Sequence, residues 1–274
     1  MGNKVHAEPG LSQSRAILAL DCCGPKPSSL PMNEMIRNNL AIYDDVAAAW
    51  WSDEIRWVRT LKNLVPARLS WFDRHIDWSG KRVLDLGCAG GFMAEALHSR
   101  GAEVTGIDPA AEAIGAARAH AESTARAISY DVGVGEDLPY DDASFDAVVC
   151  VDVLEHVRDL SLVIKEVARV LGPGGLFLFD TINRNPLAKL ATVTVAENIL
   201  GLLPKGTHDP EMFIKPDELR AEMEAAGLEP EPFTGLGPRG VNRRGDITFG
   251  RLPLTAILYM GTARKSAAPT RSQS

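Results

Sequence analysis

The chain has 274 residues, of which 45% are hydrophobic and 24% are charged, and its formal net charge is −7. This composition is typical of a soluble globular protein, and the absence of a basic stripe argues against nucleic acid as the main partner. The four cysteines have neither zinc-ligand nor disulfide-framework spacing, and no apolar run reaches the length of a membrane span. Because the N-terminus also lacks a signal-peptide pattern, we predict a cytoplasmic protein.

Both ends of the chain are predicted to be disordered tails, over residues 1–31 and 266–274, because they are polar and show no periodicity. Residues 32–80 carry apolar side chains at helical spacing and predict two or three N-terminal helices. Pro66 is expected to break or restart the second of these helices.

Residues 81–265 predict one α/β domain, since short apolar strands alternate with helices. The predicted strands are Arg82–Leu86, Glu103–Ile107, Ala127–Val132, Phe145–Cys150 and Leu176–Asp180, and the predicted helices are Phe92–Arg100, Ala110–Ala121 and Leu160–Leu171. Continuous apolar strands separated by helices indicate a parallel, doubly wound sheet that is covered on both faces.

The last third of the domain has a different pattern. A helical lid insertion is predicted over about 184–215, followed by a helix at Lys215–Ala226. Two final strands, Glu229–Thr234 and Thr255–Ala263, are expected to be joined by a long polar loop, Gly235–Arg251.

Candidate ligand-binding residues follow successive strands, where open α/β sheets bind their ligands. The first strand runs into the loop that contains Asp85, Gly87, Cys88 and Gly90, and glycines allow such a loop to turn tightly near a ligand. A nicotinamide-binding loop has a further glycine at its second position, which admits a pyrophosphate. That glycine is missing here, so the loop favours S-adenosylmethionine, which has no phosphate.

Acidic residues after the next two strands complete this pattern. Asp108, followed by Pro109, can accept hydrogen bonds from both hydroxyls of a ribose, although it could also simply cap the next helix. Glu136 and Asp137 can bind an adenine amino group, with a solvated acidic turn as the alternative. The ordered set of loop, acid and acid pair predicts an S-adenosylmethionine site.

More specific strings resemble one family, the O-methyltransferases of ubiquinone biosynthesis, which methylate polyprenyl catechols. The strings are Trp50-Trp51, Pro66-Ala67-Arg68-Leu69, Leu154-Glu155-His156-Val157, Asn183-Arg184-Asn185, Pro204-Lys205-Gly206-Thr207-His208-Asp209 and Phe213-Ile214-Lys215-Pro216. The resemblance implies a class I methyltransferase, Rossmann-like, with a seven-stranded sheet whose last strand is antiparallel. It also implies that the N-terminal helices cover the cofactor, with cofactor contacts at Arg68, Gly87, Asp108 and Val151.

Candidate catalytic residues follow the fourth strand. Asp152, Glu155 and His156 have i, i+3, i+4 spacing, which would bring them together on one helical turn. Two carboxylates and an imidazole can hold Mg²⁺ or Zn²⁺, and a metal-bound catechol would lose its proton more easily. His156 could instead act as a direct base or have a structural role. His208, in the lid, could be a second catalytic base or an anchor of the lid.

These residues predict transfer of a methyl group to a phenolic hydroxyl of a small aromatic, catechol-like substrate, either a quinone precursor or an aromatic natural product. The alternative is a C- or N-methyltransferase that needs no metal and uses His156 as base or positioning alone. The apolar segment Leu187–Leu203 could line the substrate pocket, pack in the core, or make peripheral contact with a membrane. The sequence does not determine the oligomeric state.

Overall fold

The computed structural model of the protein describes residues 2, 41–199, 204 and 207–267. Its centre is a mixed sheet in which nine strands of the described residues take part, in the order β3-β2-β1-β4-β5-β9-β7-β8, with β6 paired to β9. The strands are β1 (Arg82–Leu86), β2 (Glu103–Asp108), β3 (Ser129–Val132), β4 (Phe145–Cys150), β5 (Leu171–Ile182), β6 (Leu228–Pro230), β7 (Thr234–Val241), β8 (Ile247–Leu252) and β9 (Leu258–Lys265). The predicted tails lie outside the described residues, except for Gly2, Ser266 and Ala267.

The first five strands form a parallel half-sheet, and β9 runs antiparallel to β5. The predicted α/β, doubly wound fold with an antiparallel last strand is therefore confirmed. The described helices are α1 (Ala41–Asp44), α2 (Arg56–Phe72), α3 (Phe92–His98), α4 (Ala111–Ser123), α5 (Leu160–Val170), α6 (Pro186–Lys189) and α7 (Pro216–Ala225), with 3-10 turns at Ala47–Ala49 and Leu154–His156 and a π-helix at Leu190–Ile199. The described part of the predicted lid insertion thus begins as helix, and residues 200–203, 205 and 206 lie outside the described residues.

The prediction that Pro66 breaks a helix was wrong, since α2 runs through it without interruption. Pro66 lies on the exposed face of α2, where water can reach the carbonyl that the proline leaves without a donor. The opposite face of α2 buries Leu64, Val65 and Leu69 against the core. Packing of that face offsets the cost of the proline.

The predicted polar loop Gly235–Arg251 is instead the hairpin of β7 and β8, and this adds strands to the seven that were expected. The side chain of Asn242 closes the hairpin by accepting hydrogen bonds from the backbone N–H groups of Arg244 and Asp246. Asp246 also receives two hydrogen bonds from Arg59 of α2, at 3.0 and 3.2 Å. The hairpin is thus stabilised by a partner far away in the sequence, which its own composition does not reveal.

Apolar side chains fill both faces of the sheet, as expected for a doubly wound fold. One cluster packs α2, α3 and α4 on one face, and a second packs α5 and α7 on the other. Among the described residues, we find no helix with the length and apolar character needed to cross a bilayer.

Candidate active site

A cavity opens at the carboxyl ends of β1, β2 and β4. Since β1 lies between β2 and β4, the chain connections leave the sheet in opposite directions here, and such switch points are where α/β sheets bind ligands. Eight of the ten predicted cofactor residues line this cavity, which we call the cofactor cavity; they are Arg68, Asp85, Gly87, Cys88, Asp108, Pro109, Glu136 and Val151. Gly90 and Asp137 are not among its lining residues.

Two glycines of the loop after β1 have different structural roles. Gly87 has φ +76°, a conformation that favours glycine, and a Cβ there would overlap the side chain of Val153. At Gly90 a Cβ would overlap the indole ring of Trp50. Gly90 therefore makes room for an aromatic side chain from the N-terminal segment, and its contribution to the site is indirect.

Asp108 connects this loop with the start of α4. One carboxylate oxygen accepts a hydrogen bond from the N–H of Ala89 at 2.9 Å, and the other accepts one from the N–H of Ala110 at 2.8 Å. Burial raises the pKa of Asp108 to about 6. Asp108 is not the N-cap of α4, because Ala110 occupies that position and no side chain caps the helix. Each oxygen of Asp108 keeps a second lone pair and the side chain lines the cavity, so it can also accept hydrogen bonds from a ligand.

The acidic pair after β3 is divided between two environments. Glu136 lines the cofactor cavity, and one of its oxygens accepts hydrogen bonds from the N–H groups of Arg158 at 2.9 Å and Asp159 at 3.4 Å. Asp137 does not line the cavity. Only Glu136 is therefore placed to contact a ligand there.

Asp85 is a buried carboxylate that faces the same cavity. It is 1% exposed, and neither of its oxygens has a hydrogen-bonding partner in the described protein. Burial raises the pKa of Asp85 to about 7. A buried carboxylate without a partner is costly for the protein. A ligand with a cationic or donor group, such as the amino group of S-adenosylmethionine, would satisfy it.

Arg68 occupies the centre of a buried charge cluster. Its Nε donates a hydrogen bond of 2.5 Å to Asp180, and its Nη2 forms an ion pair of 2.5 Å with Asp152. Burial alone would lower the pKa of Arg68, but the two carboxylates outweigh it and raise the pKa. Arg68 lines the cofactor cavity as well, but both carboxylates already pair with its charge, so the carboxylate of a ligand there would share the guanidinium with them.

The prediction that Asp152, Glu155 and His156 share one helical turn was only partly correct. Asp152 precedes the 3-10 turn Leu154–His156 and has φ +55°, in the left-handed region. Its N–H donates a hydrogen bond of 2.8 Å to Asp180, and its carboxylate is directed to Arg68. The carboxylate of Asp152 is therefore paired with Arg68 and is not part of the cluster of candidate metal ligands.

A different set of three side chains comes together beside it. One ligand atom each from Glu155, His156 and His208 lies within 4.8 Å of the others. Glu155 is 2% exposed; one oxygen accepts a hydrogen bond of 2.7 Å from Thr181, and the other has no hydrogen-bonding partner among the described residues. Burial, with a further contribution from Asp152, raises the pKa of Glu155 to about 8. One carboxylate and two imidazoles are a donor set that suits a divalent cation.

A second cavity, which we call the apolar cavity, adjoins the cofactor cavity. Most of its described lining is aliphatic or aromatic, from α2, the lid, the β7–β8 hairpin and β9, and includes Trp57, Leu64, Ile182, Ile247, Phe249 and Ile257. The two cavities have Tyr43, Leu61, Asp152 and His156 in common. His208 lines the apolar cavity and not the cofactor cavity. Asp152 and His156 lie at the junction of the two cavities, and the apolar side chains lie beyond it.

The motifs did not reveal Asp180, Tyr43 or Thr181 as parts of the site. Asp180 was predicted only as the end of an apolar strand, and a carboxylate in such a position is a signal that could have been used. Tyr43 was considered only as part of a helical pattern, yet it lies between the cavities, and burial raises its pKa. The role of Tyr43 is not visible in local sequence.

Comparison with known proteins agrees with this geometry. The model of a family described as a methyltransferase domain matches residues 84–179. The ubiquinone biosynthesis O-methyltransferase of Pseudomonas syringae pv. tomato is 41% identical over 206 residues, which is 75% of this chain and 88% of that protein. The chain belongs to this family of methyltransferases. The corresponding protein of Paraburkholderia phymatum is 38% identical over 231 residues, 84% of this chain and 97% of the relative.

The fold of this methyltransferase is also found among solved structures. The magnesium protoporphyrin IX methyltransferase of Synechocystis PCC 6803, solved with bound SAH, superposes with a TM-score of 0.55 at 20% identity, over 76% of this chain and 85% of that one. At this identity the likeness concerns the fold. Together, the family and the fold make the protein a class I S-adenosylmethionine-dependent methyltransferase.

Proposed function

We propose that this methyltransferase transfers a methyl group from S-adenosylmethionine to a phenolic hydroxyl of an apolar, catechol-like acceptor. The observation that carries the proposal is the junction of the two cavities. A cavity with cofactor-binding character meets an apolar cavity, and both are bordered by Asp152 and His156. Methyl transfer requires such an arrangement because donor and acceptor must be held in line and in contact.

In the cofactor cavity, Asp85, Asp108 and Arg68 would bind the amino group, the ribose hydroxyls and the carboxylate of S-adenosylmethionine. Each of these side chains is buried and lines the cavity, and their charges complement those groups. When bound, the cofactor supplies a methyl group on a positively charged sulfur. The phenolate oxygen of the acceptor would form the new carbon–oxygen bond while the carbon–sulfur bond breaks, and neutral S-adenosylhomocysteine would be the second product.

In the apolar cavity, aliphatic and aromatic walls favour an acceptor with an apolar substituent over a polar one. The relatives are named for ubiquinone biosynthesis, whose intermediates suit such walls if they carry a prenyl chain. A quinone precursor is therefore the acceptor that we favour, with an aromatic natural product of similar shape as the alternative. The lid residues Ala191 and Ala196 also border this cavity, so the lid segment contributes to the substrate pocket.

The acceptor must lose its phenolic proton, because a phenol with a pKa of about 10 is mostly neutral at pH 7. The residues that would hold a divalent cation are Glu155, His156 and His208, with Asp152 as the neighbouring carboxylate. A cation such as Mg²⁺ or Zn²⁺ there would lower the pKa of the catechol. Without a cation, the imidazole of His156 would accept the proton directly.

The test is transfer of label from methyl-labelled S-adenosylmethionine to a panel of catechols with and without a short prenyl chain. We expect label on oxygen, with prenylated catechols preferred. Monophenols with the same chain serve as the matched control. Label on no catechol would overturn the proposal, and label on carbon or nitrogen would favour the alternative class of methyltransferase.

The same assay tests the metal. We expect activity to fall in EDTA and to return when one divalent metal is added in excess. Full activity in EDTA would contradict the proposed requirement for a metal, and His156 would then be the base.

A further inference from the structure

The N-terminal segment 41–52 contacts both the loop after β1, which we call the glycine loop (residues 87–91), and the first turn of α4. A carboxylate oxygen of Asp44 accepts a hydrogen bond of 2.9 Å from the N–H of Glu112, in the first turn of α4. Seven residues later, the indole N–H of Trp51 donates a hydrogen bond of 3.0 Å to the carbonyl of Gly90, across 39 residues of sequence. The segment is therefore attached to the glycine loop by a specific polar contact as well as by packing.

The ring of Trp51 is itself held in place. It stacks on the imidazole of His120, with ring centroids 3.6 Å apart and parallel planes. The Nδ1 of His120 lies 2.5 Å from one oxygen of Glu95, a buried carboxylate whose other oxygen pairs with Arg126 at 3.2 Å. A relay of fixed side chains thus connects α3 and α4 to the indole that contacts the loop.

The neighbouring residue, Trp50, contacts the same glycine from another side. Its ring lies where a side chain at Gly90 would be, and it also stacks on Phe92, the first residue of α3, with centroids 5.2 Å apart. The two tryptophans therefore restrain one peptide unit in two ways. Trp50 covers the Cα of Gly90, and Trp51 binds its carbonyl.

We propose that Trp51 is a positioning residue that holds the glycine loop in the conformation that binds S-adenosylmethionine. Gly90 does not line the cofactor cavity, but Cys88 and Ala89 of the same loop do. The N–H of Ala89 also bonds to Asp108. A loop that loses its contact at Gly90 samples more conformations, and binding must then restrict it again. The effect should fall on the cofactor and not on the acceptor, since Trp51 lines neither cavity.

The primary test compares Trp51→Phe, which keeps an aromatic ring and removes the N–H donor, with Trp71→Phe. Trp71 is a buried tryptophan near the end of α2 that lines neither cavity, so it controls for loss of an indole from the core. Calorimetric titration with S-adenosylhomocysteine should give a Kd about three to ten times higher for Trp51→Phe, the range of one lost hydrogen bond. The Kd of Trp71→Phe and the KM of Trp51→Phe for the acceptor should stay within about twofold of wild type.

A second pair of variants tests the stacking of Trp51 on the ring at position 120. His120→Phe keeps a ring for Trp51 to stack on, whereas His120→Ala removes it. We expect His120→Ala to weaken binding of S-adenosylhomocysteine as Trp51→Phe does, and His120→Phe to bind it within about twofold of wild type.

The proposal rests on cofactor binding by the wild-type protein, which the same titration measures separately. Wild type that does not bind S-adenosylhomocysteine would overturn the proposed function itself. Wild type that binds it, with an unchanged Kd in Trp51→Phe, would overturn only the role of Trp51. Equal losses of cofactor and acceptor affinity in Trp51→Phe would also overturn it, because they would indicate a general structural defect.

Discussion

Arg68 and Asp180 are 112 residues apart in sequence and form a buried ion pair, with the guanidinium Nε 2.5 Å from a carboxylate oxygen. The pair joins α2 to the end of β5, and Asp152 contacts both partners. This cluster, with the nearby Glu155, holds more carboxylates than cations. Burial is the main reason why the pKa of Asp180 rises to about 7, and the negative charge of Asp152 adds to it.

Removing the guanidinium of Arg68 is expected to destabilise the protein. Arg68→Met leaves the carboxylates of Asp152 and Asp180 without their cation, in a site where the side chains of Arg68 and Asp180 are at most 3% exposed, and breaking a buried ion pair costs about 3 kcal/mol. The free energy of unfolding at pH 8, measured with urea, checks this. The control is Arg82→Met, which breaks a half-exposed pair with Asp146 and should cost less than about 1 kcal/mol. Equal losses in the two variants would contradict the role assigned to Arg68.

Adding a methyl group at Gly90 should damage cofactor binding, although Gly90 does not line the cofactor cavity. The new Cβ of Gly90→Ala would overlap Trp50, so the loop or the tryptophan must move. We expect the Kd for S-adenosylhomocysteine to rise by at least about tenfold. Gly115→Ala, in α4, is the control because a Cβ there meets no atom within 4 Å. It should bind normally and gain about 0.5–1 kcal/mol of stability from the better helix propensity of alanine. Unchanged binding by Gly90→Ala would show that the loop tolerates the movement.

Asp85 should make the ligand-free protein less stable as the pH rises. Its folded-state pKa of about 7 lies above the ordinary value of about 4, so its stabilising contribution is complete below about pH 4 and is lost as the pH rises through about 7. The stability of Asp85→Asn relative to wild type should therefore increase by about 3 kcal/mol between pH 5 and pH 8. Urea unfolding at both pH values measures the difference.

Asp146→Asn is the control for this pH dependence, because the pKa of Asp146 is shifted in the opposite direction to that of Asp85. A hydrogen bond from Arg82 lowers the pKa of Asp146, so its small contribution to stability is present above about pH 4 and is lost as the pH falls. Asp146→Asn should therefore not be more stable than wild type at pH 8. An Asp85→Asn variant whose stability follows that of wild type at both pH values would refute the burial argument.

Metal binding should depend on His208 more than on Asp152. His208 belongs to the set of ligand atoms within 4.8 Å, whereas the carboxylate of Asp152 is paired with Arg68. We expect Glu155→Gln and His208→Ala to weaken Zn²⁺ binding, measured by calorimetry, by at least about tenfold. His75→Ala is the histidine control, since His75 pairs with Glu231 and lines neither of the two cavities. Strong loss in Asp152→Asn without loss in His208→Ala would restore the ligand set predicted from sequence spacing.

Local sequence was sufficient for the parallel half of the fold. The strands at Arg82–Leu86 and Phe145–Cys150 begin and end where their apolar runs predict, because a strand buried on both faces must be apolar throughout its length. The residues at the carboxyl ends of these strands were predicted as the cofactor site, because the connections of a parallel sheet bring those ends together. The position of the glycine loop and Asp108 at this edge of the sheet could therefore be predicted without coordinates.

Only the tertiary structure decided the contacts between distant segments. Spacing placed Asp152 with Glu155 and His156, but its left-handed backbone conformation and the charge of Arg68 direct its carboxylate to Arg68. His208 takes its place beside them. The β7–β8 hairpin depends likewise on Arg59 of α2, which no local pattern identifies. Periodicity reports which face of an element is buried, whereas the partner of a buried charge is determined by packing between elements far apart in the chain.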